Sequence, residues 1–291
     1  MQEHTTRLKG QEFHLYEWGP ADAPVILALH GFPEYGGAWS DLAGHLPDFR
    51  IVAPDQRGFG QSWAPQDVRD YANGKLVGDM AALIEQIGAP VIVLGHDWGA
   101  AVAYGLAMFH PHLVSRLIIM NGVHPAPFQR ALAAGGAQTA ASQYIPWLRG
   151  DGAEDILAAD DFAKLQALFA AHMDMSWLAG DRLAAYKAEW ARPGRMTGML
   201  NWYRASPLVV PKPGERATGL PDLPHDKLRV PMRHLLIWGE NDTALLPEAT
   251  EGLEDYCDDL TRVNVANADH WLHHQQPALV ASLIRDWIAR G

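Results

Sequence analysis

A five-residue turn between an apolar run and a helix constrains the fold of this chain most strongly. Gly95-His96-Asp97-Trp98-Gly99 follows the apolar residues 91–94 and precedes an Ala-rich helical segment, 100–109. Glycines at both ends of such a turn let a strand pass sharply into a helix and leave the central side chain exposed. This context is typical of a nucleophile elbow, in which the central residue attacks the substrate. Here that residue is Asp97, where serine is usual.

The apolar runs elsewhere in the chain predict the sheet to which this turn belongs. Short β-branched or aliphatic runs alternate with longer amphipathic segments, which is the pattern of an α/β fold with a mostly parallel sheet flanked by helices. The predicted strands are residues 25–29, 50–53, 91–94, 117–120, 234–238 and 261–265. The predicted helices are residues 76–87, 100–109 and 278–288.

The middle of the chain has a different pattern, with helical segments and no convincing strand. The helical candidates are residues 128–148, 160–173, 181–190 and 195–205, and a Pro/Gly-rich linker, 207–224, follows them. We therefore predict that residues 1–123 and 230–291 form the α/β core. Residues 124–229 are predicted to be an inserted helical cap, named here the predicted cap.

Composition and charge exclude several classes of partner. The 291 residues are 48% hydrophobic and carry a net charge of −11, and no run of Lys or Arg is present, so nucleic acids and anionic membranes are disfavoured. The single cysteine, Cys257, cannot form a disulfide within the chain. Residues 1–10 lack the apolar run of a signal peptide, and no stretch has the length of a membrane span. The expected location is the cytoplasm.

A second loop is expected to face the elbow. His30-Gly31-Phe32-Pro33 follows the predicted strand 25–29, where a loop of this kind donates a backbone amide to an oxyanion hole. Pro33 has no amide, so Phe32 and Trp98 supply the natural pair of donors. Phe32 and Trp98 are also expected to contact the substrate.

The catalytic acid and base are expected after the elbow in the order nucleophile, acid, histidine. Asp242 follows the predicted strand 234–238 and is the preferred acid, with Glu240 as a rival. His270 follows the predicted strand 261–265 and is the expected base. His273 and His274 lie close to it in sequence, but without a further ligand group they do not predict a metal site.

An aspartate nucleophile restricts the chemistry. A carboxylate is ionised and attacks without a base, which leaves the histidine to activate water in a second step. Attack on an ester or amide would give only an exchangeable anhydride, whereas attack on an sp³ carbon gives an ester that water can cleave. The residues therefore point to alkyl transfer from a strained or activated carbon, followed by hydrolysis.

Together these motifs resemble the epoxide hydrolase branch of the α/β-hydrolase superfamily. The resemblance rests on residues 30–33, the loop 55–60, the elbow around Asp97, residues 121–125, Asp242 and His270. It implies a small epoxide and water as substrates, no cofactor, and two cap tyrosines that donate to the epoxide oxygen. Tyr144 and Tyr203 match these tyrosines, and Trp177 is a further candidate for the pocket wall.

Two other functions remain open at this point. Haloalkane and haloacetate dehalogenases share the fold and the aspartate, and Trp98 would suit the halide site of a haloalkane enzyme. Phe32 stands where many of those enzymes carry asparagine, and the arginines expected after the aspartate of haloacetate enzymes are replaced by Trp98 and Ala101. A non-catalytic protein that binds a small molecule on this fold is the alternative of another class.

Overall fold

A computed structural model describes residues 1–88, 90–171, 173–220 and 224–290. One eight-stranded sheet forms its centre, in the spatial order β1-β2-β4-β3-β5-β6-β7-β8. Strands β3 to β8 run parallel, and β2 pairs antiparallel with β1 and with β4. The strands are β1 Gln2–Leu8, β2 Gln11–Trp18, β3 Val25–Leu29, β4 Arg50–Pro54, β5 Val91–His96, β6 Val114–Met120, β7 Val230–Gly239 and β8 Cys257–Val265.

The parallel strands form where continuous apolar runs are buried on both faces of the sheet. All six residues of β5 are buried, as are four of the five residues of β3, which is the composition expected for central parallel strands. All six predicted strands are present, four of them longer by two or more residues. The first two strands were missed, because β1 is polar and exposed over most of its length and carries no apolar alternation.

Helices cover both faces of this sheet. The helices of the α/β core are α1 Ser40–Gly44, α2 Asn73–Ile87, α3 Trp98–Phe109, α10 Leu272–Gln275 and α11 Pro277–Ala289. Residues of α2 and α3 join one buried apolar cluster, while residues of α1, α10 and α11 join a second cluster on the opposite face. This is the architecture that the alternating pattern predicted.

Helices and irregular segments, but no strand, occur among the described residues between β6 and β7. The helices are α4 Pro125–Ala133, α5 Ala137–Ala141, α6 Tyr144–Leu148, α7 Ala153–Ala170, α8 Gly180–Trp190 and α9 Arg195–Ala205. The single helix predicted over 128–148 is wrong, because breaks near Gly135 and Ser142 divide it into three. Helix α7 is itself interrupted by non-helical residues 159–162. Residues 221–223 of the predicted linker lie outside the described residues.

The parallel arrangement decides where the predicted site residues meet. Carboxyl ends of parallel strands lie at the same edge of a sheet, and ligands bind there in open α/β sheets. Phe32 follows β3, Asp97 follows β5, Asp242 follows β7 and His270 follows β8. All four loops therefore open on one edge. In the part of the chain that the structure describes, no helix is both long and apolar enough to cross a membrane.

Candidate active site

Asp97 stands on a strained turn between β5 and α3. Its backbone has φ 49° and ψ −120°, outside the conformations that non-glycine residues ordinarily adopt. Neighbouring chain segments approach so closely that only glycine fits beside it. A Cβ atom on Gly99 would lie 2.0 Å from the carbonyl oxygen of Leu29, and one on Gly31 would lie 2.4 Å from the Cβ of Asp97. The glycines therefore permit the close packing that exposes the carboxylate.

Three side chains form a chain of polar contacts at this edge of the sheet. His270 Nδ1 lies 2.8 Å from Asp242 Oδ2, and His270 Nε2 lies 3.7 Å from Asp97 Oδ2. Asp242 can only accept a hydrogen bond when ionised, so Nδ1 carries the proton of this contact and Nε2 faces Asp97. The structure thus brings together all three residues that the sequence assigned to nucleophile, acid and base.

The environment of Asp242 fixes its orientation. Its Oδ1 accepts hydrogen bonds from the amides of Ala244 and Leu245, at 2.8 and 2.9 Å, and its Oδ2 accepts a third from Asn121 Nδ2 at 2.7 Å. With His270 this carboxylate has four donors around it. The rival acid, Glu240, is exposed to solvent. The geometry therefore favours Asp242 as the partner of His270.

These contacts change the pKa values of both partners. Burial alone would lower the pKa of His270, but the charge and hydrogen bond of Asp242 and the charge of Asp97 raise it to about 9. Burial would conversely raise the pKa of Asp242, and the charge and hydrogen bond of His270 lower it below its ordinary value. His270 is therefore protonated at neutral pH while the Asp242 carboxylate beside it is charged.

One of the two predicted oxyanion donors is already engaged with the carboxylate. The amide of Phe32 donates to Asp97 Oδ1 at 2.9 Å. Trp98 is the first residue of α3, directly after Asp97, and the described residues show no hydrogen bond from its amide to the Asp97 carboxylate. Phe32 thus holds one carboxylate oxygen, which leaves Oδ2 on the side of His270.

A cavity with two lobes lies over Asp97. Lobe A, of about 160 Å³, lies between α2, α3, α4 and α9, and Trp98 lies in its wall. Lobe B, of about 310 Å³, has Phe32 and His270 in its wall. Three residues line both lobes, namely Asp97, Tyr144 and Tyr203. The lobes therefore meet at the predicted nucleophile and the two predicted proton donors.

The two tyrosines pack close to each other and to the loops of the site. Their ring centroids are 6.2 Å apart, and the ring of Tyr203 packs edge-on against Phe32 and Trp98 at 5.2 and 5.1 Å. Burial, followed by the charge of Asp97, raises the pKa of both hydroxyl groups. Both tyrosines therefore stay protonated at neutral pH and can serve as hydrogen-bond donors.

Trp177 does not line either lobe. Its ring stacks on His274 with the centroids 3.8 Å apart and the planes 9° apart. The structure therefore does not bring this predicted substrate contact to the cavity, because a flat imidazole of the core covers one face of the indole. Its position in the sequence, among other cap aromatics, gave no sign of this packing.

A buried polar cluster that the sequence did not predict lies beside the site. Glu34 Oε1 accepts hydrogen bonds from His274 Nε2 at 2.7 Å and from the Tyr186 hydroxyl at 2.9 Å. Glu34 Oε2 lies 3.3 Å from His96 Nδ1 and 3.5 Å from His273 Nε2. Burial would raise the pKa of Glu34, but the imidazoles, His273 first, lower it well below its ordinary value. No local pattern indicates this cluster, because Glu34 and His274 meet only in the folded chain.

This cluster also contains the group with metal-ligand spacing among the described residues. Atoms of Glu34, His96 and His273 that could bind a metal all lie within 4.8 Å of one another. His270, which lies close to His273 and His274 in the sequence, is turned toward Asp242 instead. Because His96 Nε2 donates to the carbonyl of His270 at 2.8 Å, the cluster also contacts the backbone of the predicted base.

Comparison with known proteins identifies the family. A family model described as the alpha/beta hydrolase fold matches residues 24–277. The chain belongs to this α/β-hydrolase family. The AB hydrolase superfamily protein YfhM of Bacillus subtilis is 33% identical over 283 residues, which cover 96% of this chain and 95% of that protein. Epoxide hydrolase 4 of Homo sapiens is 31% identical over 288 residues, which cover 94% of this chain and 75% of that protein.

Solved structures of α/β hydrolases agree with the fold. One from the epoxide hydrolases found in metagenomes from hot environments has 36% identity and a TM-score of 0.89, over 99% of this chain and 98% of that chain. Bacillus megaterium epoxide hydrolase in complex with an inhibitor has 27% identity and a TM-score of 0.87, over 98% of this chain and 100% of that chain. The prediction of an epoxide hydrolase-like enzyme with this fold is confirmed.

Proposed function

We propose that this α/β hydrolase opens an epoxide to a vicinal diol through a covalent ester on Asp97. The observation that carries the proposal is the meeting of Asp97, Tyr144 and Tyr203 at the junction of the two lobes. A carboxylate nucleophile and two protonated phenols face the same space, which is the equipment needed to attack a ring carbon and protonate the departing oxygen. Relatives and structural neighbours named as epoxide hydrolases support the same activity.

In the first step Asp97 Oδ2 attacks one ring carbon. The new bond joins Oδ2 to that carbon, the bond between the carbon and the epoxide oxygen breaks, and the oxygen takes a proton from Tyr144 or Tyr203. Asp97 Oδ1 stays hydrogen-bonded to the Phe32 amide and becomes the carbonyl oxygen of the ester. The ring strain of the epoxide favours this step, and the tyrosines stabilise the charge that develops on the oxygen.

In the second step water attacks the carbonyl carbon of the Asp97 ester. Esterification removes the charge of Asp97, which is one of the influences that raise the pKa of His270, so the imidazole releases its proton more readily. That proton balances the one lost by the tyrosine, which is protonated again before the next turnover. Neutral His270 can then take a proton from water while Asp242 holds it in place. The oxyanion is stabilised by the Phe32 amide, with Trp98 as the second donor. When this intermediate collapses, the bond between the acyl carbon and Oδ2 breaks, and Oδ2 takes the proton held by His270 and leaves as the second hydroxyl of the diol. The oxygen of the water remains in the Asp97 carboxylate.

The helices between β6 and β7 have a defined part in this proposal. The predicted cap, 124–229, supplies Tyr144 and Tyr203, whereas residues 1–123 and 230–291 supply Asp97, Asp242 and His270. Binding of a small substrate between the two parts would exclude water from the ring-opening step. Trp98 and Phe32 contact the substrate, each in the wall of one lobe.

The test is a turnover screen that includes the rival reaction. Purified protein is incubated with styrene oxide, aliphatic epoxides, haloalkanes and haloacetate, and both diol and halide are measured. We expect diol from at least one terminal or aryl epoxide. Halide release without any diol would favour a dehalogenase, in which Trp98 supplies a donor to the halide. Saturable ligand binding with neither product would favour a non-catalytic binding protein.

A further inference from the structure

The buried cluster around Glu34 contains polar atoms that no other group of the described residues satisfies. Glu34 Oε2, His96 Nδ1 and both ring nitrogens of His273 are buried without a hydrogen-bond partner in the part of the chain that the structure describes. Nearly all buried polar groups in proteins have a partner, so several such atoms in one place call for an explanation. The reaction proposed above uses none of these atoms and therefore does not explain them.

The contact between His96 and Glu34 brings two electron-rich atoms together. His96 Nε2 lies 2.8 Å from the carbonyl oxygen of His270, which can only accept, so a neutral His96 carries its proton on Nε2. Its Nδ1 then has a lone pair, and this atom lies 3.3 Å from Glu34 Oε2. Both side chains are fully shielded from water. A positive charge between these atoms would turn their repulsion into attraction.

A divalent cation satisfies more of these atoms than a proton does. A proton on His96 Nδ1 would serve one contact and leave His273 without a partner, whereas a metal can bind all three side chains at once. Glu34, His96 and His273 each offer a ligand atom, and these atoms lie within 4.8 Å of one another. The separations of Glu34 Oε2 from His96 Nδ1 and His273 Nε2, 3.3 and 3.5 Å, match the roughly 3.3 Å between ligands of a tetrahedral zinc ion with bonds of about 2.0 Å.

The hydrogen bonds around these ligand atoms are those expected beside a bound metal. A histidine that binds a metal usually donates its other ring N–H to a carbonyl or a carboxylate, which fixes the ring. His96 does so through Nε2 to the carbonyl of His270. The free oxygen of a metal-bound carboxylate is also hydrogen-bonded. Glu34 Oε1 accepts from His274 Nε2 and from the Tyr186 hydroxyl, which leaves Oε2 on the side of the two imidazoles.

We propose that Glu34 Oε2, His96 Nδ1 and His273 Nε2 bind a divalent transition metal, for which Zn²⁺ is the best match. Two imidazoles and one glutamate are a ligand set that zinc uses in proteins, with water in the fourth position. Ca²⁺ and Mg²⁺ are disfavoured, because they require oxygen ligands. The histidines near the predicted base lacked a further ligand group in the sequence, and the fold supplies it from Glu34 and His96.

The metal joins three segments behind the candidate active site. Glu34 lies in the loop after β3, His96 is the last residue of β5, and His273 lies in α10. His96 directly precedes Asp97, and its Nε2 holds the carbonyl of His270. The metal is not a reactant in the proposed mechanism. Its contribution is to stabilise the segments that carry the nucleophile and the base.

Zinc binding to the full chain tests this assignment. Protein dialysed against a chelator is equilibrated with zinc sulfate for increasing times, because the ligands are buried, and its metal content is measured by plasma mass spectrometry after gel filtration. We expect one zinc ion retained per chain. The thermal midpoint of unfolding should rise with zinc concentration, because the metal binds the folded state. Co²⁺ in place of zinc should give the visible absorption bands of a tetrahedral site.

Matched variants locate the bound zinc. His273→Gln removes a ligand and should weaken zinc binding by more than about 100-fold, whereas His274→Gln removes only a hydrogen bond to Glu34 and should weaken it by about 10- to 100-fold. The control is the double variant His110→Gln/His112→Gln, which removes a pair of imidazoles outside the cluster, with ring centroids 6.3 Å apart. It should bind zinc like the wild type.

The outcomes separate a built site from its alternatives. If His273→Gln does not fold, Glu34→Gln keeps the shape of the side chain, removes its charge and should lose the zinc in the same way. A wild-type protein that retains no zinc and gives no Co²⁺ bands would overturn the proposal and leave a proton on His96 as the charge that balances Glu34. Loss of zinc only in the control variant would place the metal on the surface and would also overturn it. None of these measurements uses turnover of an epoxide, so they are independent of the proposed function.

Discussion

Replacing Asp242 by asparagine should stop the second step of the proposed reaction and spare the first. In the structure the carboxylate accepts from two backbone amides through Oδ1, and from Asn121 and His270 through Oδ2. The backbone amides of Ala244 and Leu245 cannot reverse their role, so the oxygen of an asparagine must face them. The new amide group then faces His270 Nδ1.

The consequence for His270 is the wrong tautomer. An amide N–H opposite Nδ1 requires Nδ1 to accept, so the ring proton moves to Nε2, and Nε2 can no longer take a proton from water. Loss of the orienting carboxylate in an acid-histidine pair lowers turnover on the order of 10⁴-fold, or about 5 kcal/mol in the barrier. The new amide also faces the Asn121 donor, which should cost roughly 1–3 kcal/mol of unfolding free energy.

Rapid-quench kinetics separates the two steps. With an epoxide that is turned over by the wild type, Asp242→Asn should form the ester at close to the wild-type rate and release diol on the order of 10⁴-fold more slowly. Intact-mass spectrometry follows the ester, and chemical denaturation measures the loss of stability. The matched control is Glu240→Gln, which removes the exposed rival carboxylate and should leave both steps unchanged.

Two results would refute this reasoning. If Asp242→Asn hydrolyses the ester at a normal rate, Asp242 does not orient the base. If Glu240→Gln produces the slow release instead, the acid of the triad is Glu240, and the contacts of Asp242 serve the structure of the loop alone.

Two further predictions concern the tyrosines and the charge of His270. Tyr144→Phe and Tyr203→Phe should each slow ring opening on the order of 10²-fold or less in single-turnover measurements, and the double variant should nearly abolish it; a wild-type rate in either single variant removes that residue from the site. The pKa of His270 is raised to about 9 in the folded state, from about 6.5 in an unfolded chain. Between about pH 6.5 and about pH 9, therefore, the folded state holds a proton on His270 that the unfolded state has released. The free energy of unfolding should therefore be highest below about pH 6.5 and fall on the order of 3 kcal/mol as pH rises through about 9. Urea unfolding should show this decrease of the unfolding free energy with pH in the wild type and lose it in His270→Gln. An equal decrease in both proteins would contradict the assignment of the raised pKa to His270.

The sequence predicted the parts of the fold that local patterns encode. Strands β3 and β5 are uninterrupted apolar runs, so their position and their burial could both be read from the residues. Strand β1 could not be predicted, because its polar residues form a strand only through pairing with β2. The single helix predicted over 128–148 was wrong for a related reason. Gly135 has a φ of 76° and its carbonyl accepts from the amide of Gly214, a contact between distant parts of the chain that no local pattern encodes.

The same distinction, between local patterns and contacts of distant residues, applies to the candidate site. Asp97 and His270 could be predicted because each follows a recognisable strand, and parallel strands bring their ends together. The Glu34 cluster could not, since Glu34 and His274 are 240 positions apart and pair only in the folded chain. Trp177 was assigned to the pocket from its residue type, whereas its stacking on His274 depends on how the helices between β6 and β7 pack.

The most direct test of the central claim is the mass of a stalled intermediate in His270→Gln. Without the base, this variant should attack an epoxide once and then stop, because the ester on Asp97 has no activated water to cleave it. Intact-mass spectrometry should show the addition of one substrate mass, and peptide mapping should place it on the segment that contains Asp97. Normal turnover by the variant, or an adduct on a different carboxylate, would contradict the assignment of nucleophile and base.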